Sequence, residues 1–157
     1  MTSKRRKKSK KRGIYVLPNL FTSASLFSGF FAMIAAIQGR YETAAVAILV
    51  SCVFDALDGK IARFTHSTSP FGTEYDSLSD LVAFGVAPAI LAFQWALEPF
   101  GRLGWLACFM YVICGALRLA RFNVQKATVE ANYFKGLPIP AAASFIASLI
   151  LFTTVLG

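Results

Sequence analysis

Five apolar segments, at about residues 14–38, 43–65, 77–97, 103–123 and 137–157, dominate this chain. Each is close to the ~20 residues that a helix needs to cross a bilayer. They mix Ala, Leu, Phe, Ile and Val with Gly and Ser, and they lack the strict alternation of strands. With 56% hydrophobic residues in 157, a water-soluble bundle would have too little polar surface to cover five such segments. The expectation is an all-α, polytopic transmembrane helix bundle forming one compact unit. No internal repeat and no Pro/Gly/Ser-rich linker divides it. The organisation expected is a basic tail, 1–13, followed by a membrane domain, 14–157.

Charge gives that bundle an orientation. Lys4, Arg5, Arg6, Lys7, Lys8, Lys10, Lys11 and Arg12 account for the net +8, because the other eight basic residues are balanced by eight acids. A basic run can serve nucleic acid or a membrane surface. Here an apolar segment follows directly, so anionic membrane lipid is the expected partner and nucleic acid is not. Each such residue is attracted to an anionic leaflet by about 1 kcal/mol. The first segment is too long and lacks a small-x-small site, so a cleavable signal peptide is not expected. The positive-inside rule then sets the N-terminus in the cytoplasm of a multi-pass cell-membrane protein. Arg40, Glu42, Glu98 and Arg102 fall outside. Lys60, Arg63, Arg118, Arg121, Lys126 and Lys135 return inside.

The chemistry concentrates in one stretch. Asp55-Ala-Leu-Asp58-Gly59-Lys-Ile-Ala62-Arg63 is followed, eight residues later, by Gly72-x-x-x-Asp76-x-x-x-Asp80. Eight specified residues at roughly 5–8% background each make a chance match on the order of 1 in 10¹⁰ per start position. Ionisable groups in membrane segments mark functional sites. Successive helical residues turn by about 100°, so Asp55, Asp58, Gly59 and Ala62 share one face, and Gly72, Asp76 and Asp80 share another. An antiparallel pair would bring four carboxylates into one pocket at the cytoplasmic surface. Such a cluster repels itself unless cations neutralise it, and all-oxygen ligands suit Mg²⁺ or Mn²⁺. Two ions about 3.5–4 Å apart can clamp a phosphoryl group. Gly59, Ala62 and Gly72 are small and leave room for a ligand. Arg63 suits phosphate oxygens.

This pattern resembles that of the CDP-alcohol phosphotransferases, which join a CDP-activated group to an alcohol with release of CMP. Pro18-Asn19-Leu-Phe-Thr22, Ser79-Asp80-Leu-Val-Ala-Phe-Gly85-Val-Ala-Pro88, Arg118-Leu-Ala-Arg121-Phe-Asn123 and Phe134-Lys135-Gly136-Leu-Pro138 are similar to the phosphatidylserine synthase branch. The resemblance covers about residue 15 to the C-terminus. It implies that CDP-diacylglycerol and L-serine give phosphatidylserine and CMP, with two Mg²⁺ or Mn²⁺ ions as cofactors. By the same resemblance Asp55, Asp58 and Asp76 would ligate the metals. Asp80 would be the general base and a further metal ligand. Gly59, Ala62, Arg63 and Gly72 would hold the CDP moiety beside Asp55 and Asp58, with Asn19 and Thr22 as additional contacts. The family core has six helices, and five are readable here, so a truncated chain is expected at Thr-Val-Leu-Gly157.

The acceptor is the more open question. Arg118 and Arg121 lie three apart on one helix face, with Asn123 and Lys135 flanking them. An arginine fork suits the carboxylate of serine, yet both arginines could equally snorkel to the headgroups. Glycerol-3-phosphate or inositol phosphate is the alternative acceptor. An ion transporter would spread polar groups across the bilayer, whereas these acids cluster at one face. A catalytically inactive scaffold would not be expected to keep all eight motif residues. The remaining features read as structural. Cys52, Cys108 and Cys114 are packing residues without metal-ligand spacing, and His66 has no assigned role. Pro88 should kink or loosen the third segment. Ser28, Ala32 and Ala36 would let helices approach closely, internally or across a homodimer.

Overall fold

The computed structural model describes residues 3–128 and 138–157, with side chains described for 16–126 and 138–157. Among the described residues five helices follow one another: α1 Ser3–Ile37, α2 Tyr41–Phe64, α3 Pro70–Phe100, α4 Arg102–Thr128 and α5 Ile139–Leu156. No strand occurs among the described residues. Each helix overlies one of the five apolar segments. Four of them (α1 from Val16, α3, α4 to Lys126, and α5) are long and apolar enough to cross a membrane by length and composition. Helix α2 is 24 residues long but carries Glu42, Asp55, Asp58, Lys60 and Arg63, and it falls outside that set. Its place in the bundle comes from packing rather than from its own hydropathy. The molecule is a multi-pass membrane protein.

Two helices start ahead of their apolar segments. Helix α1 runs unbroken from Ser3 through the basic tail into the apolar segment. Helix α3 begins at Pro70, ahead of the apolar segment that starts near 77 and early enough to include Gly72. The cause is local. Ser69 is extended, at φ −120° and ψ 152°, and its hydroxyl accepts from the Gly72 backbone N–H at 3.0 Å. Pro70 follows at the first turn, where its missing N–H costs nothing. The loop between α2 and α3 is therefore only Thr65–Ser69, which places the two halves of the acidic motif on adjacent antiparallel helices.

The interior is built from small residues. Ala32, Ala35, Ala36, Ala44, Ala45, Ala83, Ala87, Ala143 and Ala147 are fully buried. A Cβ at Gly29 would stand 2.6 Å from the Ala83 Cα, so only glycine allows α1 to approach α3 so closely. Buried hydroxyls add direction to this packing. Ser25 and Ser51 bond each other at 2.8 Å across α1 and α2, and the Ser28 hydroxyl donates to the Ala47 carbonyl at 2.7 Å. Small residues and interhelical hydroxyl bonds are what hold helices together where lipid removes the hydrophobic drive. Large apolar side chains, Phe27, Phe30, Phe109, Phe145 and Phe152 among them, point outward.

Helix α3 is not uniform. Its α-helical first part, Pro70–Asp80, gives way to a π-helical turn at Leu81–Val86 and to a second at Phe93–Leu97. The expected disturbance at Pro88 therefore takes the form of a widened turn just before it. Helix α4 returns antiparallel to α3: Cys108 meets Ala89, Tyr111 meets Phe84 and Asn123 meets Ser77.

Candidate active site

Asp55 and Asp58 project from the last turns of α2, and Asp76 and Asp80 from the first turns of α3. The four converge, as the spacing predicts. One carboxylate oxygen from each of Asp55, Asp76 and Asp80 lies within 4.8 Å of the others. Each of the four acids is in electrostatic reach of the other three. Asp58 stands slightly apart. It is 5% exposed, and its Oδ2 accepts from the Thr22 hydroxyl at 2.7 Å. Thr22, itself 4% exposed, thus links α1 to the cluster and fixes the direction of the Asp58 carboxylate. The Ser79 hydroxyl donates to the Thr22 carbonyl at 3.2 Å and closes the α1–α3 side of the site.

The donor set fits divalent metal. Asp76 Oδ1 and Asp80 Oδ1 are buried and have no hydrogen-bond partner. A buried carboxylate oxygen without a donor is costly unless a cation compensates it. Hard, all-carboxylate ligation of this kind suits Mg²⁺ or Mn²⁺. Asp55, Asp76 and Asp80 would supply the tightest grouping, with Asp58 contributing from the side held by Thr22.

The expected nucleotide contacts divide into two groups. Gly59 faces open space, since a Cβ there would meet nothing within 4 Å. Ala62 is half-buried beside it and Arg63 is exposed at the end of α2, so this face of α2 is accessible to a ligand. Gly72 sits opposite, with the Asn19 Oδ1 3.5 Å from where its Cβ would be, so Asn19 and Gly72 are brought together. Thr22 is different: its hydroxyl is engaged by Asp58 rather than directed to open space.

The expected acceptor contacts are less concentrated. Arg118 is half-buried, and the antiparallel register of α3 and α4 puts it level with the turn that carries Asp80. Arg121 is exposed. Asn123 is occupied within the bundle, donating to the Ser77 hydroxyl at 2.9 Å and to Glu74 at 3.4 Å, and so fastens α4 to α3. Lys135 lies outside the described residues. Lys126 was expected only to mark topology. It lies in electrostatic reach of Asp76, with its ammonium 4.4 Å from the Phe122 ring centre. Its position one turn beyond Phe122 on the α4 face could have suggested this.

A carboxylate cluster at the end of two antiparallel helices of an all-helical membrane bundle is compatible with a divalent-metal site. Residues 15–156 match the family described as CDP-alcohol phosphatidyltransferase, and the chain belongs to that family. Over 138 residues it is 43% identical to the CDP-diacylglycerol–serine O-phosphatidyltransferase of Helicobacter pylori strain 26695, covering 88% of this chain and 58% of that protein. It is 42% identical over 137 residues to the archaetidylserine synthase of Methanothermobacter thermautotrophicus, covering 86% of this chain and 58% of that one. The Saccharomyces cerevisiae CDP-diacylglycerol–serine O-phosphatidyltransferase is 37% identical over 144 residues, covering 83% and 51%. The chain thus spans just over half the length of these curated relatives.

Proposed function

We propose that this chain is the catalytic membrane unit of a phosphatidyltransferase that makes phosphatidylserine and CMP from CDP-diacylglycerol and L-serine. The observation that carries the reading is the cluster of Asp55, Asp58, Asp76 and Asp80, in which two buried carboxylate oxygens lack any donor. Similarity to serine phosphatidyltransferases and to an archaetidylserine synthase supports serine as the acceptor. The site would face the cytoplasm, where serine and CMP are soluble, with fourteen of the sixteen basic residues on that side.

In this mechanism Gly59, Ala62, Arg63, Asn19 and Gly72 hold the CDP moiety against α2 and the start of α3. Two divalent ions held by the carboxylates would neutralise the diphosphate and the charge that develops on it. Asp80 takes the proton of the serine hydroxyl. The serine oxygen bonds to the phosphorus that carries the diacylglycerol. The bond from that phosphorus to the oxygen shared with CMP breaks, and CMP leaves with the electron pair. Positioning and electrostatics supply the acceleration. Arg118 and Arg121 hold the serine carboxylate level with Asp80, while Asn123 secures the end of α4.

The test uses the purified full chain with CDP-diacylglycerol and Mn²⁺ or Mg²⁺. Serine, glycerol-3-phosphate and inositol phosphate are offered separately and CMP release is measured. Release with serine alone is expected. Release only with another acceptor would keep the chemistry and replace the substrate. No release with any acceptor would remove the enzymatic reading.

A further inference from the structure

Directly after Asp80 the backbone of α3 widens. Residues Leu81–Val86 form a π-helical turn, with the Ala87 N–H bonding the Val82 carbonyl five residues back. The sequence supplies the reason. Pro88 has no N–H for the Phe84 carbonyl, its α-helical partner, and its ring would crowd that carbonyl. Phe84 is 0% exposed, so its carbonyl cannot turn to solvent. Tyr111 of α4 resolves this, since its hydroxyl donates to the Phe84 carbonyl at 2.9 Å. Phe84 lies one turn below Asp80 on the same strip of helix. The bond from α4 therefore holds the backbone segment from which the Asp80 carboxylate projects. Cys52 lies between the two regions, in electrostatic reach of Tyr111 on one side and of Asp55 and Asp80 on the other.

The same device recurs far from the acids. In the second π turn, Phe93–Leu97, the Glu98 N–H bonds the Phe93 carbonyl, and Pro99 has no N–H to continue that pattern to the Gln94 carbonyl. There the Tyr41 hydroxyl, from the start of α2, donates to the Gln94 carbonyl at 3.0 Å. Two tyrosine-to-carbonyl bonds thus repair two proline-linked π turns, one beneath the carboxylates and one at the opposite end of α3. π turns inside α-helices cluster at functional positions, and here the molecule carries its own matched control.

We infer that Tyr111 is a positioning residue for Asp80, fixing the π turn that aims its carboxylate at the metal and acceptor, whereas Tyr41 makes the same bond for structure alone. The inference rests on the proposed function for its turnover arm only. Tyr111 does not touch substrate; it acts through the backbone of Phe84.

The experiment compares Tyr111→Phe with Tyr41→Phe in the full chain, in lipid nanodiscs. Each variant loses one hydroxyl and keeps its ring, so both should fold, and their thermal unfolding should shift alike. In Tyr111→Phe, kcat for CMP release should fall about tenfold or more through misalignment, while KM for CDP-diacylglycerol stays within about twofold, as expected when only the transition-state interaction is lost. Mn²⁺ affinity, read without substrate by the paramagnetic resonance of the free ion, should weaken in the same variant. Tyr41→Phe should keep the wild-type kcat and Mn²⁺ affinity. Wild-type values in Tyr111→Phe, or equal losses in both variants, would overturn the inference. If the wild-type chain binds Mn²⁺ but releases no CMP with any acceptor, the proposed function fails. The Mn²⁺ comparison then still decides the role of Tyr111.

Discussion

The interior where α1, α2 and α3 meet and the outward faces of α4 and α5 are built from opposite materials. Inside stand Ala32, Ala36, Ala44, Ala45 and Ala83, with the paired hydroxyls of Ser25 and Ser51. Outside stand Leu103, Trp105, Phe109, Phe145, Phe152 and Val155. In a water-soluble protein the large apolar residues would be the buried ones. Where the surroundings are lipid, burying a leucine gains little, while close backbone approach gains dispersion and interhelical bonds. The arrangement also explains why the carboxylates are placed so firmly. They hang from an interior in which alanines and serines outnumber the few large buried side chains, Ile48, Phe84 and Leu91.

The largest test of this contrast lies at the acidic end of the interior. Asp76→Asn and Asp55→Asn should each lower turnover by about a hundredfold to a thousandfold, as expected for removal of a charge that stabilises the transition state. EDTA should abolish turnover reversibly. CMP release that persists in excess chelator would sink the metal-dependent reading. Arg118→Lys should raise KM for serine by about tenfold and KM for CDP-diacylglycerol little, because lysine keeps the charge and loses the fork. Unchanged serine kinetics would return Arg118 to a headgroup role.

Smaller effects test the packing itself. Gly29→Leu should cost about 1–3 kcal/mol, since the Ala83 backbone leaves no space for the new side chain. Thermal unfolding in nanodiscs reads this directly, and an unshifted midpoint would mean that α1 and α3 can move apart freely. Thr22→Val should cost about 1 kcal/mol through the lost bond to Asp58, with some loss of turnover. Phe152→Leu, on the outward face, should shift stability by less than about 0.5 kcal/mol. A larger cost would mean that this face is covered by protein rather than lipid.

Much of this was legible in the sequence. The five helices follow from apolar segments of bilayer length, and the convergence of Asp55, Asp58, Asp76 and Asp80 follows from helical spacing across a short loop. The start of α3 was also written there, in Ser69-Pro70, a capping residue before a first-turn proline. The apolar count hid it, because residues 70–76 are mostly polar. The Thr22–Asp58 bond was not legible, because a threonine in an apolar helix reads equally as a packing residue and as a donor. The tyrosine bonds to the π turns depend on which carbonyl a proline deprives and on which neighbouring helix is level with it, and both are tertiary facts. Asn123 shows the converse: a residue expected beside the acceptor arginines has its amide taken up by Ser77 and Glu74.

The close approach of Gly29 to Ala83 acts as a keyed joint between α1 and α3. Sliding α1 along α3 by one turn would bring a bulkier residue of the same face, Ser25 or Met33, to the narrowest point. Rocking about that point strains each interhelical bond in proportion to its distance, the Ser25–Ser51 bond less than the Thr22–Asp58 bond. Thr22 lies seven residues from Gly29, a lever arm of about 10 Å at 1.5 Å per residue. A tilt of about 10° would then carry the Thr22 hydroxyl roughly 2 Å, enough by the length of such bonds to release Asp58. The fulcrum stays still while the acidic end moves farthest, so the Thr22–Asp58 bond is the one that such a tilt strains most.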